Sequence, residues 1–484
     1  MIRAAMKRAL LVLGALLLIL LAILIGRALV LPSMQIAAPA APPLSIDRDA
    51  ALARFTRAIR FPTVSGRSAE HDAFLAWLGE AYPRVHASLQ RELVGGHSVL
   101  FTWRGSDPAL APVLLMGHYD VVPVEPGTES KWERPPFSGA VAGGFVWGRG
   151  TLDDKITVIS LLEAIDSLLR DGFRPNRTIL LAFGHDEEIG GTEGAAAVAR
   201  LLISRGVRLH AVVDEGGIVT RDGIKGLDKP VALIGIAEKG SASVELLASG
   251  AGGHSSMPPP RTQVGEIASA IERVQTNPFP TGVRGATAEM LRWVAPEMPF
   301  VQRVLMSNVW LFEPILRIEA KSSPPLNAIL RTTTAPTIIS GGVKENVIPS
   351  HARAVINFRI LPGDTVDEVV AHVRETAGSR VAARLLSGAR DSSPVSDPRT
   401  PQFRTLQRTI EQVFPDAVVA PYLVVGGTDA RHFESLTPNV YRFIPLVIEQ
   451  SDLSRVHGTN ERVAVESYFE AIRFYRMLAM NFAR

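Results

Sequence analysis

No cysteine occurs among the 484 residues of this chain. Disulfides, thiolate-bound metal and cysteine nucleophiles are therefore excluded, and any metal must be held by histidine and carboxylate. Charge of neither sign dominates: 51 Lys and Arg face 48 Asp and Glu, a net +3. A nucleic-acid partner would need a concentrated basic stripe, and none is present. There is no internal repeat, and no Gly-x-Ser-x-Gly elbow that would announce a serine nucleophile. A hydrophobic content of 46% with 20% charged residues is that of a globular protein long enough for two or three domains.

One long apolar run is present, at the N-terminus. Arg3, Lys7 and Arg8 precede an uninterrupted stretch from Ala9 to Ile25. A positive flank before a segment at the lower limit for spanning a bilayer reads as a transmembrane signal anchor over residues 1–31, with the body extracytoplasmic, periplasmic or extracellular. The competing reading is a signal peptide cleaved near Ile36-Ala37-Ala38-Pro39-Ala40, giving a secreted protein. Residues 32–44, rich in Ala and Pro, read as an extended linker.

The body is organised around Leu114-Leu115-Met116-Gly117-His118-Tyr119-Asp120, an apolar run that ends in a histidine and then an aspartate. In open α/β sheets chemistry collects beyond the carboxyl ends of strands. The pattern recurs. Thr178 to Phe183 leads to His185-Asp186-Glu187-Glu188, and Ala211-Val212-Val213 leads to Asp214-Glu215. The turn Gly148-Arg149-Gly150-Thr151-Leu152 presents Asp153 and Asp154 before a helix, where one of them is expected to serve as an N-cap. Ser241 to Ala248, a helical stripe from Val264 to Val274, Thr337 to Ser340, the alternating Ala352 to Ile360, a helix at Val366 to Arg374 and a strand at Val381 to Leu386 follow a β-α-β-β-α-β order. That order is the plan of a ferredoxin-like α+β domain. It is interrupted by a Pro-rich, partly helical insertion over about 277–336. The expected architecture is a mixed α/β sheet flanked by helices over 45–237 and 391–484, with an inserted lid over 238–390.

The assembled candidates are His118, Asp120, Asp153, Glu187, Glu188, Asp214 and His457. Two histidines with several carboxylates and no thiolate suit zinc or a similar divalent ion such as Co2+ or Mn2+. More carboxylates than one tetrahedral shell takes argue for two ions sharing an aspartate, with one acid left as a general base.

These segments, together with Gly252-Gly253-His254-Ser255-Ser256 and His457-Gly458, resemble the zinc-dependent metallopeptidase family of carboxypeptidase S, aminoacylase and glutamate carboxypeptidase. Gly427-Thr428-Asp429 and His457-Gly458-Thr459-Asn460-Glu461 look closest to the branch of carboxypeptidase S and the secreted N-acyl-amino-acid hydrolases. The resemblance implies two Zn2+, one held by His118 and Asp214, the other by Glu188 and His457, with Asp153 between them. It implies that Asp120 orients His118, that Glu187 is the general base, and that His254 stabilises the oxyanion, often across a dimer interface. Asn346, Arg359, Gly427 and Thr428 are implied to bind substrate. The implied reaction is cleavage of an amide beside a free carboxylate, in a short peptide or in an N-acyl amino acid. A non-catalytic binding protein on the same fold is the alternative from another class, and a homodimer through the lid is implied as an option.

Overall fold

The computed structural model describes residues 2–484, and the chain divides into two compact units. One comprises residues 34–236, 396–422 and 428–484; the other comprises the chain up to Ser33 with 237–395 and 423–427.

The first unit is built on a ten-stranded mixed sheet. At its centre Ile179–Gly184, Val113–His118 and Ala211–Asp214 lie side by side and parallel. Every residue of these strands is buried, which is why they read as continuous apolar runs and not as alternating ones. The register pairs His118 with Gly184 and Leu115 with Val213, so the polar residues after the strands emerge on one rim. Leu100, Leu114, Met116, Leu180 and Val212 pack against Val198, Leu202 and Phe433 beneath that rim. Lys155–Arg170 covers the sheet and is buried along nearly its whole length, with the C-terminal helix Val465–Phe482 beside it. The expected linker is extended but is not a free spacer. The Ala41 N–H donates to the Gln412 carbonyl at 2.7 Å and Gln407 Nε2 to the Met34 carbonyl at 2.9 Å.

In the second unit four antiparallel strands lie in the spatial order Thr333–Gly341, His351–Ile360, Gly240–Ser249, Ala382–Leu385. Ala242, Val244, Leu246 and Ala248 alternate inward, as do Ala352 to Ile360 at every second position. They meet Ile267 and Val274 from Gln263–Thr276, and Val369 and Val373 from Val366–Ala377. The latter helix starts at a capping box in which Thr365 and Glu368 satisfy each other's backbone N–H. The insertion forms the helices Gly285–Val294, Phe300–Ser307, Val309–Glu319 and Pro324–Leu330. The apolar helix Ile2–Val30 belongs to this unit, with Leu24 and Ala28 buried.

One histidine of the first unit gives a stability prediction. The His210 N–H donates to the Pro112 carbonyl at 2.7 Å, and its ring meets Phe482 edge-on. Burial, and then the Arg177 charge, push its pKa down to about 4. The unfolded chain therefore takes up a proton near pH 6.5 that the folded protein refuses until about 4. Stability is expected to fall as pH drops through that window, and less steeply in His210→Gln. Denaturant midpoints across the window check this; identical slopes would contradict it.

Candidate metal centre

His118 closes its strand with 1% of its surface exposed. Nδ1 lies 3.0 Å from the Asp120 carbonyl oxygen and 3.3 Å from Asp120 Oδ1. With Nδ1 donating there, Nε2 is left with its lone pair available to a metal. Nε2 faces Asp153 Oδ1 at 2.9 Å and Glu215 Oε1 at 3.4 Å.

Asp153 is presented by the turn that starts at Gly148. Gly150 has φ +91°, and a Cβ there would lie 2.9 Å from Val121 Cγ1, so both conformation and space require glycine. The second oxygen of Asp153, Oδ2, lies 3.0 Å from His457 Nε2, which is itself 3.1 Å from Glu188 Oε2. One carboxylate thus stands between two imidazoles, with one oxygen toward each.

Asp120 does more than face His118. Its oxygens accept the N–H groups of Glu187 and Glu188, both at 3.2 Å, and the Ser65 hydroxyl at 2.7 Å. The tight turn Glu187–Ile189 is therefore pinned to the end of the neighbouring strand.

The donors suit a divalent ion. His118, Asp153 and Glu188 bring ligand atoms within 4.8 Å of one another, as do His118, Asp154 and Glu215. Glu188 Oε1, Asp154 Oδ1 and Asp429 Oδ1 are buried without a hydrogen-bond partner. Burial pushes the carboxyls of Asp154, Glu187, Glu215 and Asp429 well above their usual range, and neighbouring acids push them further. Donation from its Nε2 to the Asp153 and Glu188 carboxylates raises His457 to about 10. Acids crowded in this way gain from a cation among them.

The structure brings His118, Asp120, Asp153, Glu188 and His457 into direct contact, with Glu187 on the same turn as Glu188. Asp214 Oδ2 accepts the Ala430 N–H at 2.7 Å, and the next residue, Glu215, places Oε1 3.4 Å from His118 Nε2. Asp154 differs from the expectation. It precedes the helix Lys155–Arg170 without a side-chain cap bond, and its Oδ2 accepts the His118 N–H at 3.3 Å. Thr428 is buried, and its carbonyl accepts from Arg431 Nη1 at 2.6 Å.

In the other unit, His254 and Asn346 share one small ladder. His254 pairs with Val347, and the Ser255 N–H donates to the Asn346 carbonyl at 3.1 Å. His254 is exposed with Nδ1 2.7 Å from Ser256 Oγ, and Asn346 Oδ1 is buried without a partner. Arg359 is exposed on His351–Ile360, opposite Ser241. A Cβ at Gly427 would fall 1.9 Å from Arg390 Nη2, so the glycine makes room for that guanidinium.

Sequence reasoning assigned no role to Glu461 or Arg149. Glu461, fully buried, takes Arg149 Nη1 at 2.6 Å and the N–H groups of Gly150 and Leu152 at 2.9 and 2.8 Å, while Arg149 Nη2 donates to the His457 carbonyl at 3.0 Å. The pair ties the Asp153 turn to the His457 loop. Both lie inside quoted motifs, and that position was the only signal.

A mixed α/β sheet whose rim gathers two histidines around a shared carboxylate defines a metallopeptidase-type hydrolase. Residues 114–481 match Peptidase family M20/M25/M40, and the chain belongs to that family. It is 40% identical over 439 residues to "Probable carboxypeptidase S-like 2" of Dictyostelium discoideum, covering 88% of this chain and 84% of that one. It is 42% identical over 436 residues to the human "N-fatty-acyl-amino acid synthase/hydrolase PM20D1", covering 88% and 86%. Among solved structures, the M20 family metallo-carboxypeptidase Sso-CP2 of Sulfolobus solfataricus superimposes with a TM-score of 0.67 at 19% identity, over 90% of this chain and 99% of that one.

Proposed function

We propose that the chain is a zinc-dependent hydrolase with two metal ions, cleaving the amide bond beside a free carboxylate at the C-terminus of short peptides. The observation that carries this is Asp153, with one oxygen against His118 and the other against His457. His118, Asp153 and Asp214 would hold one ion, with Glu215 beside them 3.4 Å from His118 Nε2; Asp153, Glu188 and His457 would hold the other. Bound there, such ions lower the pKa of a water to about 7 and polarise a carbonyl. The residues of the chain do the rest. Glu187 takes the proton of the attacking water on its carboxylate and delivers it to the leaving amide nitrogen. Asp120 fixes the His118 ring and the Glu187–Glu188 backbone. Substrate contacts fall to Asn346, Arg359, Gly427 and Thr428, with Arg359 gripping the carboxylate through its planar fork and His254 donating to the oxyanion. We read the β-α-β-β-α-β unit that carries His254, Asn346 and Arg359 as a ferredoxin-like lid and as the surface for a homodimer.

The name of the human relative favours a second reading, hydrolysis of N-acyl amino acids. Ile2–Val30, 29 residues long, is read as an uncleaved anchor because its apolar run is longer than a usual signal-peptide core, with the charges of Arg3, Lys7 and Arg8 on the cytoplasmic side.

The test is turnover by the full chain in detergent after chelation and after return of Zn2+, Co2+ or Mn2+, on dipeptides and N-acyl amino acids of rising chain length. Activity lost on chelation and restored by Zn2+ is expected, with dipeptides preferred. Preference for long acyl chains would select the second reading. Stoichiometric metal binding without turnover of any substrate would favour a binding protein.

A further inference from the structure

The insertion carries two helices that expose their apolar sides. Neither Phe300–Ser307 nor Val309–Glu319 contains a fully buried residue. Along the second, Trp310, Ile315 and Ile318 are 57%, 55% and 67% exposed, and Leu311 and Pro314 lie on the same stripe. On the first, Phe300 and Val301 are 49% and 67% exposed. A tryptophan, a phenylalanine and branched aliphatics gathered over nineteen positions make a patch, whereas scattered single exposures would need no explanation.

Their place in the fold says what covers them. Asn308, which joins the two helices, is fully buried and donates through Nδ2 to the Leu24 carbonyl at 3.0 Å and the Val304 carbonyl at 2.8 Å. The Phe300–Ser307 helix packs on the N-terminal helix, where Leu24 and Ala28 are buried, and Arg27 Nε reaches the Ser307 carbonyl at 3.5 Å. Leu24 lies within the apolar run Ala9 to Ile25. At a rise of about 1.5 Å per residue, the junction of the insertion helices is within about one turn of the end of that run. If the run crosses a bilayer, the junction lies at the level where acyl chains give way to headgroups. That is the depth at which amphipathic helices rest and tryptophan side chains concentrate. The Glu313–Arg317 ion pair at 3.0 Å lies on the same helix, giving it a charged side for the headgroups.

We propose that Phe300–Ser307 and Val309–Glu319 lie in the lipid boundary of the leaflet from which the N-terminal helix emerges, so that three helices hold the protein to the membrane. This rests on reading Ile2–Val30 as an anchor. A second copy of the chain is the competing occupant, but contact with the candidate span makes the exposed patch continuous with a surface that already seeks lipid.

The absence of native cysteine makes the test direct. Leu17→Cys, Trp310→Cys, Ile315→Cys and Asp367→Cys are labelled one at a time with an environment-sensitive dye. Each full chain is reconstituted in phosphatidylcholine–phosphatidylglycerol vesicles containing acyl-chain nitroxide lipids. Loss of most dye emission is expected at 17, 310 and 315, with none at 367, an exposed position on Val366–Ala377. Quenching at 17 but not at 310 or 315 overturns the proposal and leaves the anchor standing. Quenching at 310 and 315 but not at 17 overturns the three-helix proposal together with the anchor it rests on, and leaves lipid contact by the insertion alone. No quenching at any of the three overturns both. A blue shift at 310 and 315 that appears without lipid and is insensitive to nitroxide overturns the proposal in favour of self-association.

Discussion

Glu187→Gln is expected to lower kcat by about 10²–10⁴-fold, the usual loss when a general base is removed, with the metal content unchanged. The expectation follows from what the substitution keeps and what it removes. The turn is held by the Glu187 and Glu188 N–H groups on Asp120, bonds that do not involve the Glu187 side chain. An amide of the same shape therefore leaves Glu188 and His457 where they are. What disappears is a carboxylate able to take a proton and give it back. Its surroundings suit that task. Burial, followed by the charges of Asp429, Asp153 and Glu188, which act against the pull of His118, raises it from the ordinary range of a glutamate. Steady-state kinetics beside metal analysis of the same preparation reads the result. Loss of metal from the variant would make Glu187 a ligand, and unchanged kcat would move the base elsewhere, with buried Asp429 the first candidate.

The residues around Glu187 are visible in the sequence, because an apolar strand that ends in a histidine or an acid is a local pattern. His118, Glu187 and Glu188 follow runs whose burial on both faces suppresses alternation, and a reader can find where each run stops. The inward alternation of Ala352 to Ile360 was as plain, since one face of that sheet packs on helices. Choices between neighbours were not legible. Asp214 and Glu215 are both acids at one strand end, and no local pattern says that Glu215 comes within 3.4 Å of His118 Nε2. Asp153 and Asp154 pose the same problem before a helix, and there the second aspartate turned toward the His118 N–H instead of capping. Long-range pairings were less legible still. Asn308 and Leu24 lie 284 positions apart, and no periodicity in either segment names the other. The contacts of the extended linker were not legible for the same reason, because its hydrogen bonds to Gln407 and Gln412 reach a distant helix.

Glu461 belongs to the same class, and it carries the second large expected effect. Glu461→Ala is expected to cost about 3–5 kcal/mol of unfolding free energy, the range for removing one partner of a buried ion pair. Arg149, 3% exposed, would keep its charge without a counter-ion, and the N–H groups of Gly150 and Leu152 would lose their acceptor. Denaturant titration in the presence of chelator isolates this loss from any stabilisation by metal. The second consequence is at the metal centre. Arg149 joins the Asp153 turn to the His457 carbonyl, and when its charge is unpaired the two loops no longer constrain each other. Metal affinity should fall by about 10–100-fold, as it does when the groups that orient ligands are removed. Glu461→Gln keeps one acceptor oxygen for the backbone donors and should fall between the variant and the native chain in both readouts. A loss below about 1 kcal/mol in Glu461→Ala, the level of an exposed pair, would mean that water reaches Arg149 and that the loops are held by other contacts.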